Sequence, residues 1–121
     1  GDSAFGFSGM EIETICRYQL PVVVVVFNNG GVYRGCDANL NPGIASDIAV
    51  TALTRGRYDK VAEAFGGKGY HVTTPEELTT SLKLAIDAHG PSIINAVIDP
   101  AAGTESGRLT NLNPKSSLAR N

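Results

Sequence analysis

The 121-residue sequence has no tryptophan, one methionine, two cysteines and two histidines. Cys16 and Cys36 stand far apart and no Cys-x-x-Cys pair occurs, which argues against a zinc site. Two scattered thiols make no disulfide framework either. A reducing, cytoplasmic compartment is therefore the expectation, with Cys16 as a small buried apolar residue in a helical pattern. The chain also lacks an excess of charge. Lys plus Arg number 10 against 12 for Asp plus Glu, a formal net charge of −2. No basic field is available to draw nucleic acid or an anionic membrane, and neither is expected as a partner. The longest apolar run, residues 20–27, is too short to span a bilayer. Gly1-Asp2-Ser3 carries neither a starting Met nor the basic flank of a signal peptide. The sequence opens on what reads as a strand-to-helix turn, and the expectation is a piece of a longer protein. A processed Met or a cut tag is the alternative.

What is present is enough for one packed domain: 42% of residues are hydrophobic and 18% charged. Residues 1–7 read as a Gly- and Phe-containing turn. Residues 8–19 read as a helix, with Ser8 and Glu11 as a capping box and Ile12, Ile15 and Cys16 on one buried face. Leu20-Pro21 ends it. The β-branched run at 22–27 has no polar alternation and predicts a strand buried on both faces. Asn28-Asn29-Gly30-Gly31 stops that strand. A long loop follows over 32–57, with a helical turn near 47–53. A short helix over 58–65 is closed by Gly66-Gly67, and a short strand covers 69–72. Thr74-Pro75-Glu76-Glu77 predicts a capped helix whose apolar face is Leu78, Leu82, Ala85 and Ile86. Gly90-Pro91 stops it before a final apolar strand at 92–98. Strands alternating with helices predict an α/β fold, a parallel sheet with helices on both faces.

This topology places Asp2 and Asn29 on the same edge of the sheet, at the C-terminal strand ends where open α/β sheets bind ligands. A carboxylate, an amide oxygen and loop carbonyls there are hard donors suited to Mg²⁺. A helix start nearby supplies N–H groups for a diphosphate. The same pattern also fits an ordinary Rossmann-like crossover in which the Asp caps a helix and Asn-Asn-Gly-Gly is only a turn. Other polar residues have plainer readings. His71 reads as structural, and His89 is explained by a helix C-terminus. Arg55, Arg57 and Lys60 read as solvated. Glu76 and Glu77 belong to a helix start. No Ser-His-Asp arrangement is visible.

Gly1-Asp2-Ser3, followed after residues 4–27 by Asn28-Asn29, resembles the Gly-Asp-Gly…Asn-Asn motif of thiamine diphosphate-dependent enzymes, with Ser3 in place of the second glycine. Residues 1–11 and 64–70 resemble the branch that contains oxalyl-CoA decarboxylase and 2-hydroxyacyl-CoA lyase. Residues 53–59, 98–100, 105–108 and 111–114 are more similar to the decarboxylase side of that branch.

The resemblance implies a pyrophosphate-binding domain over 1–121, with 101–121 a tail or active-site lid. It implies thiamine diphosphate and Mg²⁺ as cofactors, the metal being held by Asp2, Asn29 and the Gly31 carbonyl. Ser3 and Ala4 would bind diphosphate oxygens, and Val32 and Tyr33 would lie beside the cofactor. Tyr33 is either catalytic or a packing aromatic. Glu105, Ser106, Gly107 and Arg108 would close over an acyl-CoA substrate, with Ser106 bonding its thioester or carboxylate and Arg108 an anionic group. A solvated terminus is the plainer reading of that segment. The implied reaction converts oxalyl-CoA to formyl-CoA and CO₂, with 2-hydroxyacyl-CoA cleavage as the alternative. The activating glutamate would come from the pyrimidine-binding domain of a neighbouring subunit in a homo-oligomer, a dimer or tetramer. The isolated piece is therefore expected to be inactive.

Overall fold

The computed structural model describes residues 1–31 and 53–99. Two short helices come first, α1 (Asp2–Ser8) and α2 (Glu11–Arg17), then strand β1 (Val23–Asn28) and helix α3 (Asp59–Ala64). Strand β2 (Lys68–Val72), helix α4 (Pro75–Asp87) and strand β3 (Ser92–Val97) complete the order. The strands are parallel in the order β1-β3-β2, so the last strand lies in the middle. The predicted α/β architecture is observed.

Alternation along β3 builds two cores. Ile93 packs with Ile12, Cys16, Val26 and Ala62 beneath α2 and α3. Ile94 packs with Val72, Ala85 and Ala96 beneath α4. Both isoleucines are 0% exposed, and burying each contributes roughly 1.5–3 kcal/mol. Helices therefore cover both faces of the sheet.

The helix ends follow local chemistry. At α2, Leu20 N–H donates to Ile15 O (3.0 Å) and Gln19 N–H to Cys16 O (3.1 Å), with Gln19 at φ 51°. This is a Schellman closure without glycine, and Pro21 lies beyond it. At α3 the same pair of bonds runs from Gly67 to Ala62 and from Gly66 to Glu63, with Gly66 at φ 84°. A Cβ at Gly69 would collide with the Asp59 carbonyl, so β2 lies directly against the first turn of α3.

Four local expectations are corrected. The first helix begins at Asp2, not Ser8, because the Gly1 carbonyl already accepts Phe5 N–H at 3.0 Å. Ser8 is thus helical and cannot cap. No side chain caps α2 at its N-cap Met10, and Glu11 instead accepts the Thr14 hydroxyl at 3.2 Å. The chain stays right-handed through Gly9 and Met10, and a Cβ at Gly9 would press into the Phe5 ring. Strand β1 is not buried on both faces: Phe27 is 50% exposed, since β1 is an edge of the described sheet. Burial on both faces is found in β3. Ile86 is exposed on α4 and Ser81 is buried in the stripe with Ala85. His89 follows α4 in the left-handed region at φ 50°, with Nδ1 2.8 Å from Asp87 O, so its role is in the chain reversal. The helical turn near 47–53 falls on residues 47–52, outside the described residues, and on Leu53, which is irregular.

The α4 start is as expected. Glu77 N–H donates to Thr74 Oγ1 (3.2 Å), and the Glu77 carboxylate accepts Thr73 N–H (2.7 Å), Thr73 Oγ1–H (3.0 Å) and Thr74 N–H (3.2 Å). Those bonds, chiefly from Thr73, hold the carboxyl below the ordinary glutamate value. The folded state binds this proton less readily than the unfolded state. The stabilisation is therefore complete above the ordinary glutamate pKa and is lost as pH falls through the lowered folded value. Thr74→Ala is expected to cost about 1 kcal/mol by chemical denaturation. The stability difference between wild type and Glu77→Gln is expected to shrink on acidification through that range.

Candidate cofactor and metal site

The site begins where β1 ends. The chain turns through Asn29 and Gly30, with Gly30 at φ 73°, a conformation that suits glycine. Gly30 N–H is shared between Asp2 Oδ2 (3.0 Å) and Asn28 Oδ1 (3.2 Å). Gly31 N–H donates to Asn29 Oδ1 at 3.2 Å, a local Asx turn. The turn is pinned to the returning chain by Leu53 N–H on Gly30 O at 2.8 Å. Arg55 lies along Gly30, and a Cβ there would come within 3.0 Å of its Cγ.

Asp2 is the first residue of α1 and is 1% exposed. Its Oδ2 is bonded, but its buried Oδ1 has no hydrogen-bond partner among the described residues. A buried carboxylate oxygen left in this state is costly. Asp2 lines a cavity of about 540 Å³, within the range of small-molecule sites. Asp2, Ser3, Ala4, Asn29 and Gly31 all line that cavity, with Phe7, Phe27 and Ile98 as its apolar wall. Among the described residues no three His, Cys, Asp or Glu side chains cluster. A cation here would be held by one carboxylate with amide and carbonyl oxygens, a donor set that fits Mg²⁺. Ser3 and Ala4 precede Phe5, the first N–H bonded to Gly1 O, so the start of α1 presents its first-turn N–H groups on this side.

Beneath the turn lies a polar network. Asn28 Nδ2 donates to Gly56 O (2.9 Å) and Asn95 Oδ1 (3.1 Å). Asn95 Nδ2 donates to Gly56 O (3.2 Å) and Asp59 Oδ1 (3.4 Å), with His71 Nδ1 at 3.2 Å. Arg57 grips Asp59 through Nε (2.9 Å) and Nη2 (2.6 Å). Burial pushes the Asp59 carboxyl up, but the hydrogen bonds and charge of Arg57, joined by Asn95, bring it below the usual range. Burial, reinforced by the charge of Asp2, raises the Tyr58 phenol. Tyr58 in turn stacks edge-to-face on Phe5 with centroids 5.4 Å apart, tying α1 to the start of α3.

Five of the expected site residues, Asp2, Ser3, Ala4, Asn29 and Gly31, come together at one cavity. The nearby helix start is that of α1 rather than one at Ser8. Val32, Tyr33, Glu105, Ser106, Gly107 and Arg108 lie outside the described residues. Arg57 and Lys60 are not simply solvated: Arg57 holds Asp59, and Lys60 pairs with Glu63 at 2.7 Å. His71 contacts the buried network. Asn95 and Asp59 were missed. The available signal was a lone carboxamide in the apolar strand Ser92–Val97, where a buried polar group demands partners.

The family described as thiamine pyrophosphate enzyme, C-terminal TPP binding domain, matches residues 1–96. The chain belongs to this family. It is 60% identical over 115 residues to an oxalyl-CoA decarboxylase of Escherichia coli K12, covering 95% of this chain and 20% of that protein. It is 50% identical over 117 residues to a 2-hydroxyacyl-CoA lyase of Oryza sativa, covering 93% of this chain and 20% of the relative. For 2-hydroxyacyl-CoA lyase 1 of Homo sapiens the identity is 49% over 110 residues, covering 84% and 19%. The chain thus spans about a fifth of the length of these relatives.

In this TPP-binding domain Gly30 combines a left-handed backbone with a neighbour where a Cβ would go. Gly30→Ala is expected to destabilise the protein by about 1–2 kcal/mol from the backbone alone. Denaturant midpoints of wild type and variant check this. The same variant is expected to weaken binding of thiamine diphosphate with Mg²⁺.

Proposed function

We propose that the chain is the diphosphate- and metal-binding domain, residues 1–121, of a thiamine diphosphate- and Mg²⁺-dependent oxalyl-CoA decarboxylase that converts oxalyl-CoA to formyl-CoA and CO₂. The observation that carries the cofactor part is the buried, unbonded Oδ1 of Asp2 at a cavity shared with Asn29 and Gly31. The family match supports the cofactor, and the 60% identity to a decarboxylase favours that substrate over the lyase reading.

In this reading Asp2 Oδ1, the Asn29 carboxamide oxygen and the Gly31 carbonyl hold Mg²⁺, while Ser3 and Ala4 bind diphosphate oxygens at the start of α1. Gly30 N–H keeps Oδ2 engaged, so Oδ1 is the oxygen offered to the metal. Phe7, Phe27 and Ile98 form an apolar wall of the cavity. When bound, thiamine diphosphate supplies the electron sink for loss of CO₂. Val32 and Tyr33 follow Gly31 in sequence and would meet the cofactor next, and residues 105–108 would close over the acyl-CoA, with residues 101–121 as the lid. The remaining parts come from elsewhere in the parent protein: a pyrimidine-binding domain of a neighbouring subunit in a homo-oligomer. The free, buried thiol of Cys16 accords with a cytoplasmic parent.

Calorimetric titration of the full-length parent with thiamine diphosphate and Mg²⁺ tests the site. Asp2→Ala is expected to lose metal-dependent binding, and undiminished binding would refute the metal assignment. Product analysis tests the reaction. Formyl-CoA from oxalyl-CoA is expected. Cleavage of a 2-hydroxyacyl-CoA with no formyl-CoA would transfer the chain to the lyase reading.

A further inference from the structure

Asn95 stands in the central strand, fully buried, between Val26 of β1 and His71 of β2 in register. Burial there is expensive for a carboxamide, and an apolar residue would suit the neighbouring Ile93 and Ile94. What distinguishes Asn95 is the direction its amide imposes. Its Nδ2 faces the Asp59 carboxylate and the Gly56 carbonyl, both acceptors, so its Oδ1 is turned toward Asn28. That oxygen, with Gly56 O, takes both hydrogens of the Asn28 amide, so Asn28 Oδ1 must face Gly30. A reversed Asn28 would oppose its NH₂ to the Gly30 N–H, donor against donor. Gly30 N–H is the group that holds Asp2 Oδ2. The outer end of the series is fixed by the two-point grip of Arg57 on Asp59.

We propose that Asn95 is a positioning residue for the metal-binding carboxylate. Through Asn28 and the Gly30 N–H it holds the Asp2 carboxylate in one orientation, with one oxygen engaged by the protein. The proposal rests on the reading of Asp2 as a Mg²⁺ ligand. It assigns to a strand residue, 67 positions from Asn28, an effect on metal affinity that reaches the ion through three intervening groups, Asn28, the Gly30 N–H and Asp2.

The test is calorimetric titration of Mg²⁺ into the full-length parent at saturating thiamine diphosphate, with melting temperatures of the metal-free proteins beside it. Asn95→Leu keeps the branched outline, at a larger volume, and removes both polar atoms. It is expected to weaken Mg²⁺ binding about tenfold or more, as loss of outer-sphere partners does at metal sites. Asn95→Asp keeps an oxygen toward Asn28 and, in its protonated form, a hydroxyl toward Asp59; it is expected to retain affinity within about threefold of wild type on the same scale. Ile94→Val, one residue away but directed into the α4 core, is expected to lower the melting temperature without changing Mg²⁺ affinity. Three results would overturn the proposal: wild-type affinity in Asn95→Leu, equal weakening in Asn95→Leu and Ile94→Val, or equal weakening in Asn95→Leu and Asn95→Asp. If Asn95→Leu does not fold, Asn95→Ser, whose hydroxyl is too short to span to Asn28, is judged by the same comparisons. Asp2→Ala separates the two levels. If it loses metal binding while Asn95→Leu does not, the positioning role alone fails. If Asp2→Ala binds normally, the metal reading fails and takes this proposal with it.

Discussion

The hydrogen bond from Gly30 N–H to Asp2 Oδ2 joins the first turn of α1 to the turn after β1. Asp2 is 1% exposed, and a carboxylate taken out of water needs a partner for each oxygen. One oxygen has its partner in this N–H. The other has none among the described residues, and the residue lines the cavity. The bond makes burial of the carboxylate tolerable, and in the proposed reading it leaves the second oxygen for a ligand. The left-handed φ of Gly30 is what lets the chain turn there, and the early start of α1 brings Asp2 to meet it.

The two faces of the sheet have different compositions. Beneath α4 the core is Val72, Ala85, Ile94 and Ala96, with Ser81 and Ser92 as its small buried polar residues. On the other face Ile93 and Val26 share the space with Asn28, Asn95 and Asp59, each essentially inaccessible. Apolar packing beneath α4 can stabilise the sheet without regard to direction. A network of amides and a carboxylate cannot, because each member must present the correct atom to the next, and the low dielectric of the interior strengthens satisfied bonds and penalises mismatched ones alike. The polar face is the one on which α1 and the Asn29–Gly31 turn sit. The arrangement separates a face that is tolerant of substitution from one that is not.

The same separation explains what was legible in the residues. The β-branched run at 22–27 and the Thr74-Pro75-Glu76-Glu77 start have local causes, so their elements can be read without knowing the fold. Asp2 and Asn29 could be paired because a helix between two parallel strands returns the chain to the same sheet edge. Residues 2–8 misled because their two aromatics and one glycine carry little helix propensity, and the Ser8–Glu11 spacing matches a capping box by coincidence. The helix there is supported by tertiary contacts, Phe5 on Tyr58 and Asp2 on Gly30. Asn95 was illegible for a related reason. Its partners are 67, 39, 36 and 24 positions away, and nothing in the local run Ser92–Val97 points to them.

Binding an anionic cofactor on a chain of net charge −2 is a local problem. The protein does not meet a diphosphate with a basic field, and Arg57 is engaged in gripping Asp59. In the proposed reading the charge is supplied by Mg²⁺, and the protein contributes the negative group that retains the metal. In that reading Asp2 Oδ1 has no protein donor among the described residues because the neighbouring groups are committed to one another. Gly30 N–H is shared between Asp2 and Asn28, Asn28 is committed to Gly56 and Asn95, and Asn95 to Asp59. The rigidity of the turn is therefore part of the metal affinity, because a site that could relax to satisfy Asp2 internally would have to undo that bond before binding the ion.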